Sequence, residues 1–333
     1  MSRIHFEDIK PGAVATFGAT QVSAADIVGF ARDWDPQPFH LDEAAGRASL
    51  LGGLAASGWH TAALLMRMNC DAWLNESTSL GGPGIDEMRW LAPVRPGDEL
   101  SVRRTVLEAR PSASRPALGM VLFLFEVTNQ RGETVMTQKN PIFFARRGAP
   151  PPRPGLYDAP PSGPVIDPPA PTPAEAFPLR PDESALGREI WLGSYEFTRD
   201  SVIDFARRYD PQPFHLDEAA AAASPFGRLA ASGWQTASAW MRLMIAARRR
   251  AAAALTGRGA ALPLSGPSPG YRDLKWLKPV YAGDTVHYAM TPVAIRPVSR
   301  PGWGLATFDS RGLDQFGRTV FSFTSSAFVS LQS

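Results

Sequence analysis

The sequence Asp-Pro-Gln-Pro-Phe-His-Leu-Asp-Glu-Ala-Ala occupies residues 35–45 and occurs again, unchanged, at residues 210–220. The flanking residues repeat as well. Phe-Ala-Arg precedes both copies and Leu-Ala-Ala-Ser-Gly-Trp follows both, with the same offset of 175 residues. This period is far longer than the roughly 20 to 50 residues of solenoid and propeller repeats. Each repeat is therefore expected to be a whole domain, and the chain a fused tandem duplication.

The length and the distribution of proline agree with two domains. A chain of 333 residues corresponds to about two domains at roughly 100 to 200 residues each. The segment 148–181 is rich in proline and its apolar residues have no helical or strand period. Because proline fixes the backbone and removes a donor, we expect an extended, semi-rigid linker. It separates an N-terminal domain, 1–147, from a C-terminal domain, 182–333.

Composition excludes several classes of partner. The net charge is only +2 and the basic residues are spread along the chain, which gives no reason to expect nucleic acid. The single cysteine, Cys70, cannot form an internal disulfide, and Met1 to Glu7 lack the apolar run of a secretory signal. No stretch reaches the roughly 18 apolar residues of a membrane span. A cytoplasmic protein that does not bind membranes is expected.

Each half is predicted to have the same order of elements. Residues 23–33 and 198–209 are expected to form short helices, the first capped by Ser23. A longer and more apolar helix should begin at Ser57-Gly58 and at Ser232-Gly233. The predicted strands cover 88–94, 100–107, 119–128 and 134–144, then 271–280, 285–295, 303–310 and 319–329. One long helix followed by antiparallel strands predicts an α+β fold in which the sheet wraps the helix.

The repeated Asp-Xaa-Xaa-Pro-Xaa-His-Xaa-Asp pattern and the downstream Ser-Gly-Trp resemble the hotdog-fold MaoC-like acyl dehydratases, the family of (R)-specific enoyl-CoA hydratases. The resemblance covers both halves, so it implies a double hotdog. The family usually has Gly-Asp-Xaa-Asn-Pro-Leu-His. Here Trp34 or Tyr209 precedes the aspartate, and Gln37 or Gln212 replaces the asparagine.

The resemblance also implies an activity. It is the reversible addition of water to a trans-2-enoyl thioester, which gives a (3R)-3-hydroxyacyl thioester and belongs to fatty acid metabolism. The substrate would be carried by CoA or by acyl carrier protein, with no metal and no other cofactor. Because the fusion already joins two hotdog units, a monomer or a homodimer of fused chains is expected.

The repeat supplies residue types that this chemistry needs. Hydration requires a base for water, an acid for the α-carbon and donors for the enolate-like oxygen. Asp35 with His40, and Asp210 with His215, are the candidate catalytic pairs. We expect Pro36 and Pro38 to hold the backbone extended between Asp35 and His40.

The substrate-binding candidates follow each motif at the start of the long helix. Gly58 and Gly233 offer a backbone N–H at the positive end of the helix dipole, where a thioester oxyanion would be stabilised. Their neighbours in the repeat, Ser57, Ser232, Trp59 and Trp234, complete the candidate set. His60 is replaced by Gln235 in the other half, so it is not part of the duplicated machinery.

Other interpretations of the motif remain open at this stage. Asp42 and Asp217 are expected to cap the short helices that follow them. Asp35, His40 and Asp42 could be drawn as metal ligands, but no helix-spaced His or Cys lies nearby.

Two other functions are also compatible with the resemblance. One is a hotdog acyl-CoA thioesterase, and the other is a noncatalytic subunit that binds acyl thioesters. Thioesterases of this fold more often carry a carboxylate on the central helix, which is absent from residues 58–68 and 233–244. Because both halves keep the aspartate and the histidine, two active sites are predicted. The halves differ at 50–53 and 225–228, which predicts unequal substrate preferences.

Overall fold

The structure is a computed structural model that describes residues 3–158, 163–259, 262 and 266–331. Met1 and Ser2 of the N-terminal stretch, 159–162 of the proline-rich linker, and 260–261, 263–265 and 332–333 of the C-terminal half lie outside the described residues.

The two halves contain the same elements in the same order. In the N-terminal half these are β1 (Val14–Val22), α1 (Ala24–Trp34), α2 (Pro38–Leu41), α3 (Glu43–Ala48), α4 (Gly58–Ala72), β2 (Gly84–Trp90), β3 (Asp98–Pro111), β4 (Leu118–Thr128) and β5 (Thr134–Ala145). In the C-terminal half they are β6 (Ile190–Glu196), α5 (Arg199–Tyr209), α6 (Pro213–Leu216), α7 (Glu218–Ala222), α8 (Gly233–Thr256), β7 (Gly270–Trp276), β8 (Thr285–Pro297), β9 (Trp303–Asp314) and β10 (Thr319–Ser330).

All ten strands belong to one antiparallel sheet, in the order β1-β3-β4-β5-β2-β7-β10-β9-β8-β6. Each half contributes five neighbouring strands, and β2 pairs with β7 at the centre. The register there places Ile85 opposite Leu274 and Met88 opposite Tyr271. The predicted α+β double hotdog is confirmed, with one continuous sheet through both halves.

The long helices α4 and α8 pack against the sheet, and one apolar core runs through both halves. Leu65 of α4 is buried in it, as are Phe123 of β4 and Phe321 of β10. The predicted helix cap at Ser23 is confirmed, because its Oγ accepts a hydrogen bond from the Asp26 N–H. Helices α1 and α5 sit just before the two copies of the repeated motif.

The strands β1 and β6, at the two edges of the sheet, were not predicted from the sequence. Only Val22 of the nine residues in β1 is buried, so the alternation of apolar residues is weak. Gly18 and Ala19 have positive φ and interrupt the pairing of β1 with β3. Edge strands of this kind carry too little apolar pattern to be recognised by period.

The proline-rich linker is attached to the C-terminal half by backbone hydrogen bonds. Tyr157 N–H donates to Pro225 O, Ile166 N–H to Gln315 O, and Thr172 N–H to Trp191 O. Its one regular turn in the described residues is a short 3-10 helix at Ala174–Ala176. The described parts of the linker therefore run along the C-terminal half.

Within the described part of the chain, none of the helices has both the length and the apolar character needed to cross a membrane.

Candidate active site

The repeated motif places its aspartate and histidine on different local structures. Asp35 is the C-cap residue that directly follows α1, and His40 lies on the single turn of α2. The prediction of an extended backbone up to His40 is therefore wrong. Pro38 occupies the first position of α2, where its missing N–H has no partner to lose and its fixed φ favours the helix. The backbone N–H of His40 donates to Gln37 O and holds this turn in place.

Asp35 and His40 face each other in a nearly buried pair. The Nε2 atom of His40 lies 3.5 Å from Oδ2 of Asp35, and the residues are 5% and 2% exposed. His40 Nδ1 lies 2.7 Å from Ala55 O. A carbonyl oxygen can only accept, so Nδ1 carries a hydrogen, and in the neutral form of the ring Nε2 presents a lone pair to the carboxylate. Two acceptors that face each other at this distance can both accept from one water molecule.

The second copy of the motif has the same geometry. His215 Nε2 lies 3.4 Å from Asp210 Oδ2, and His215 Nδ1 lies 2.7 Å from Ala230 O. Both residues are buried. The structure thus brings the two predicted pairs together within each half, as Asp35 with His40 and Asp210 with His215.

The serines of the Ser-Gly-Trp sequence lie behind the carboxylates. Ser57 Oγ donates to Asp35 Oδ2 at 2.6 Å, and Ser232 Oγ donates to Asp210 Oδ2 at 2.6 Å. Both serines are 0% exposed, and neither lines a cavity. The sequence analysis placed both serines among the candidate substrate-binding residues, whereas in the structure they contact the carboxylates. They are positioning residues that orient Oδ2 toward the imidazole.

A glutamine holds the other carboxylate oxygen in each half. Gln37 Nε2 donates to Asp35 Oδ1 at 2.9 Å, and Gln212 Nε2 donates to Asp210 Oδ1 at 2.9 Å. The glutamine that replaces the usual asparagine of the motif therefore fixes the carboxylate.

Burial raises the pKa of Asp35 above its ordinary value of 3.8, because desolvation outweighs the lowering effects of the neighbouring His40 and of the hydrogen bonds from Ser57 and Gln37. At the second site, the Sγ atom of Cys70 lies 3.6 Å from Asp210 Oδ1. Burial and the nearby Asp210 carboxylate raise the pKa of this thiol well above its usual range. Cys70 comes from α4 of the other half, so the two domains meet directly behind Asp210.

Gly58 and Gly233 begin the long helices and line the two cavities. Among the described residues nothing accepts a hydrogen bond from the Gly58 N–H or the Gly233 N–H, so these donors at a helix N-terminus are free to bind an anionic oxygen. A Cβ at Gly58 would lie 2.3 Å from the Trp90 ring, and one at Gly233 would lie 2.3 Å from the Trp276 ring. Glycine is required there by packing as well as by access to the N–H.

Trp90 and Trp276 were missed by the sequence reasoning. Their Nε1 atoms donate to Gly58 O and Gly233 O at 3.1 and 3.0 Å, which fixes the start of each long helix. A second repeat could have revealed them, since Trp-Leu-Ala-Pro-Val at 90–94 matches Trp-Leu-Lys-Pro-Val at 276–280. That repeat also holds the segment before each long helix, because Ala56 N–H donates to Val94 O and Ala231 N–H donates to Val280 O.

Each Asp–His pair lines its own cavity, and both halves contribute residues to each cavity. The first cavity has a volume of about 350 Å³. It is lined by Asp35, His40 and Trp59 together with Trp240 and Phe323 of the C-terminal half. Trp59 stacks on Tyr271, with ring centroids 4.9 Å apart.

The second cavity has a volume of about 440 Å³. It is lined by Asp210, His215 and Trp234 together with Asn69 and Gln138 of the N-terminal half. Trp59 and Trp234 therefore line equivalent positions in the two cavities.

Asp42 and Asp217 cap the next helices, as expected. Asp42 Oδ1 accepts from Ala45 N–H at 2.8 Å, and Asp217 Oδ1 accepts from Ala220 N–H at 2.7 Å. Neither lines a cavity. In the described ranges, no group of three or more His, Cys, Asp or Glu side chains is arranged to hold a metal ion.

The chain is similar to known proteins. A family model described as the MaoC like domain matches residues 9–117 and 183–307. A 3-hydroxybutyryl-CoA dehydratase of Methylorubrum extorquens is 32% identical over 120 residues, which are 34% of this chain and 71% of that protein.

Solved structures resemble the whole chain. A MaoC domain protein of Chloroflexus aurantiacus has a TM-score of 0.73 and 17% identity, over 99% of this chain and 98% of that one. A conserved protein of Mycobacterium tuberculosis with a double hotdog fold has a TM-score of 0.68 and 15% identity, over 98% of this chain and 99% of that one. These two likenesses concern the fold. With a family match in each half, the chain belongs to the MaoC-like domain family.

Proposed function

We propose that the chain is an acyl-thioester hydratase/dehydratase that interconverts a trans-2-enoyl thioester and a (3R)-3-hydroxyacyl thioester at two sites. The observation that carries the proposal is the pairing of a carboxylate oxygen with an imidazole Nε2, 3.5 and 3.4 Å apart, at the wall of a cavity in each half. The family match, and the dehydratase among its relatives, support the same reaction class.

The first step is the activation of water. A water molecule held between Asp35 Oδ2 and His40 Nε2 donates one O–H to each acceptor, which leaves an oxygen lone pair directed into the cavity. This oxygen attacks C3 of the enoyl group, and one of the water protons passes to the Asp–His pair. The remaining O–H becomes the 3-hydroxyl of the product.

The second step is the protonation of C2. As the C–O bond forms at C3, the electron pair of the double bond moves to the thioester and its oxygen becomes enolate-like. The free Gly58 N–H at the start of α4 stabilises this oxygen. The pair then returns its proton to C2, and the catalyst is restored with water added across the double bond. Asp210, His215 and Gly233 do the same in the second cavity.

The reaction uses acid-base groups of the chain itself, so the proposal includes no cofactor beyond the carrier of the substrate. CoA or acyl carrier protein would supply the thioester. Cytoplasmic location, the role in fatty acid metabolism, and the monomeric or homodimeric state stay predictions from the sequence.

The test is the ultraviolet absorbance of the enoyl thioester in a panel of trans-2-enoyl-CoAs of increasing chain length, followed together with free thiol. The proposal predicts loss of the absorbance without thiol release, and no reaction with the His40→Ala/His215→Ala double variant. Thiol release would identify a thioesterase. Tight binding without turnover at every chain length would identify a noncatalytic binding protein.

A further inference from the structure

One part of the proline-rich linker is packed against the loop that follows α7, directly after the second copy of the repeated motif. The backbone N–H groups of Gly155 and Tyr157 donate to Ser224 O and Pro225 O, at 3.0 and 2.8 Å. Gly227 comes so close to Gly155 that a Cβ added to it would lie 2.7 Å from the Gly155 Cα. The linker backbone is therefore in direct contact with this loop.

Side chains complete the attachment of the loop after α7. Asp158 of the linker forms an ion pair with Arg228, with 3.2 Å between Oδ1 and Nε. The Arg228 guanidinium lies over the ring of Tyr281, 3.7 Å from its centroid. The Tyr281 hydroxyl donates to Phe226 O at 3.1 Å. The loop is thus held by the linker on one side and by Tyr281 on the other.

The corresponding loop of the first half, after α3, is held without the linker. Leu51 of this loop corresponds to Phe226 at the repeat offset of 175 residues. Arg95 donates to Leu51 O and to Leu54 O. The Leu54 N–H donates to Glu43 Oε2 at 2.8 Å. Among the described residues, the linker makes no backbone hydrogen bond with the loop after α3. The two loops therefore differ in what fixes them.

A row of aromatic rings connects the linker to the imidazole of the second site. The ring of Tyr157 meets the ring of Phe226 edge-on, with centroids 5.5 Å apart. The ring of Phe226 in turn lies 4.8 Å from Phe214 and 6.1 Å from His215. All four residues line the second cavity. An aromatic wall of this cavity thus runs from His215 to a residue of the linker.

Tyr157 is also held by the N-terminal half. The guanidinium of Arg115, in the turn between β3 and β4, lies 5.7 Å from the centroid of its ring, within the range of a cation–π contact. In the first cavity, the one lining residue that comes from the described part of the linker is Pro181, at its opposite end. A change at Tyr157 is therefore directed at the second cavity.

We propose that Tyr157 is a specificity-determining residue of the second site, which the linker supplies to a cavity otherwise built by the two hotdog units. The row of rings presents an apolar surface that suits the hydrocarbon part of an acyl thioester. The amides of the carrier would lose hydrogen bonds to water against it. Because the Tyr157 ring contacts Phe226, the ring next to His215, we expect it to limit the length of the acyl chain. The proposal rests on the function proposed above, since it concerns the substrates of one of those sites.

Hydration rates in a single-site background test this role. His40→Ala keeps only the second site. In that background, Tyr157→Ala should raise the ratio of kcat/KM for a long trans-2-enoyl-CoA to that for a short one by about tenfold, because the space left by the ring accepts further methylene groups. Tyr157→Phe keeps the ring and should keep the wild-type ratio. A general loss of structure would lower kcat/KM at every chain length and leave the ratio unchanged.

Two controls accompany this test. Tyr157→Ala in the His215→Ala background, where only the first site acts, should leave the rates and the ratio unchanged and so show that the protein is folded. Ile166→Ala alters a linker residue that lines neither cavity and should leave the ratio unchanged at both sites. An unchanged ratio in the second site of Tyr157→Ala, or an equal shift at the first site, would overturn the inference.

Binding of unreactive saturated acyl-CoAs separates this inference from the hydratase function. In isothermal titration, Tyr157→Ala should change the preference between long and short acyl-CoAs at one of the two sites. If this change occurs without hydration by any of the proteins, the hydratase function fails and the inference stands. If hydration occurs and the preference does not change, only the inference fails.

Discussion

At the scale of single residues, the candidate site depends on how one carboxylate is held. Oδ2 of Asp35 accepts from Ser57 and faces His40, while Oδ1 accepts from Gln37. A buried carboxylate with its hydrogen-bonding positions defined in this way cannot rotate away from the imidazole. In the proposed mechanism, the side chain of a fully buried serine therefore orients the carboxylate without touching substrate.

Ser57→Ala tests this positioning role. In the His215→Ala background, where only the first site acts, loss of the donor should lower kcat/KM by roughly tenfold, the equivalent of one hydrogen bond to a charged group. It should also move the acid limb of the pH profile upward, because the hydrogen bond from Ser57 lowers the pKa of Asp35. Ser232→Ala in the same background is the control, since it alters the inactive site. An unshifted acid limb would contradict the role.

The acid limb of the first site is itself a prediction. Burial raises the pKa of Asp35 above 3.8, and the mechanism needs its ionised form. The fall in kcat/KM of the His215→Ala variant should therefore have its midpoint above pH 3.8 as the pH is lowered. A midpoint at or below that value would show that the essential group is a different acid or is not desolvated.

At the scale of elements, the sequence predicted the parts with strong local signals. The cap at Ser23 and the long helix from Gly58 carry their pattern in consecutive residues. The edge strands β1 and β6 do not, because β1 buries only Val22, and in β6 the alternation that begins with Ile190 and Leu192 is interrupted at Gly193. The turn α2 was missed since Pro38 was taken to oppose helix, although it stands at the one helical position that suits proline.

Within the site, the repeat identified the Asp–His pairs, but not the wall opposite them. Gln138 and Phe323 reach the cavities only because β2 and β7 join the two halves in one sheet. That contact is made between distant parts of the chain and has no local sequence pattern. The residues of the opposite wall could therefore be identified only from the structure.

Helix α4 also carries a titratable group that the active site does not use. His60 is 1% exposed and its ring stacks on Phe30 at 4.7 Å. Burial lowers its pKa from 6.5 to about 3. Between these values the unfolded chain binds a proton that the folded chain does not, so the free energy of unfolding falls as the pH falls from 6.5 toward about 3.

His60→Gln, which introduces the residue found at the equivalent Gln235, should flatten this dependence. The slope should decrease by up to about 1.4 kcal/mol per pH unit, the limit for one proton. Denaturant unfolding of both proteins across that pH range measures it. Equal slopes would mean that His60 is protonated in the folded state or becomes exposed at low pH.

At the scale of the whole molecule, the pairing of β2 with β7 joins the two domains in one continuous sheet. Gly84 and Gly270 lie in this pairing, where a Cβ would come 1.9 Å from Leu274 O or 2.0 Å from Met88 O. Both contacts are with backbone, which cannot move without separating the strands. Since each cavity takes a wall from each half, this junction supports both sites at once.

Gly84→Ala should therefore destabilise the fold by about 1–3 kcal/mol and reduce the activity of both sites together. Gly29→Ala is the control, because Gly29 lies within α1 and the nearest atom to its new Cβ is 3.8 Å away. That change should be neutral or slightly stabilising. A stable Gly84→Ala protein with only one site impaired would contradict a shared junction.

The central claim is that each half hydrates enoyl thioesters with its own Asp–His pair. The most direct measurement is the hydration rate of one trans-2-enoyl-CoA that both sites accept, with wild type, His40→Ala, His215→Ala and the double variant. We predict that each single variant keeps part of the rate and that the two parts add up to the wild-type rate. The rate of the double variant should be about 10² to 10⁴-fold lower than that of wild type. If one single variant abolishes all activity, or the double variant keeps it, the claim of two working sites is wrong.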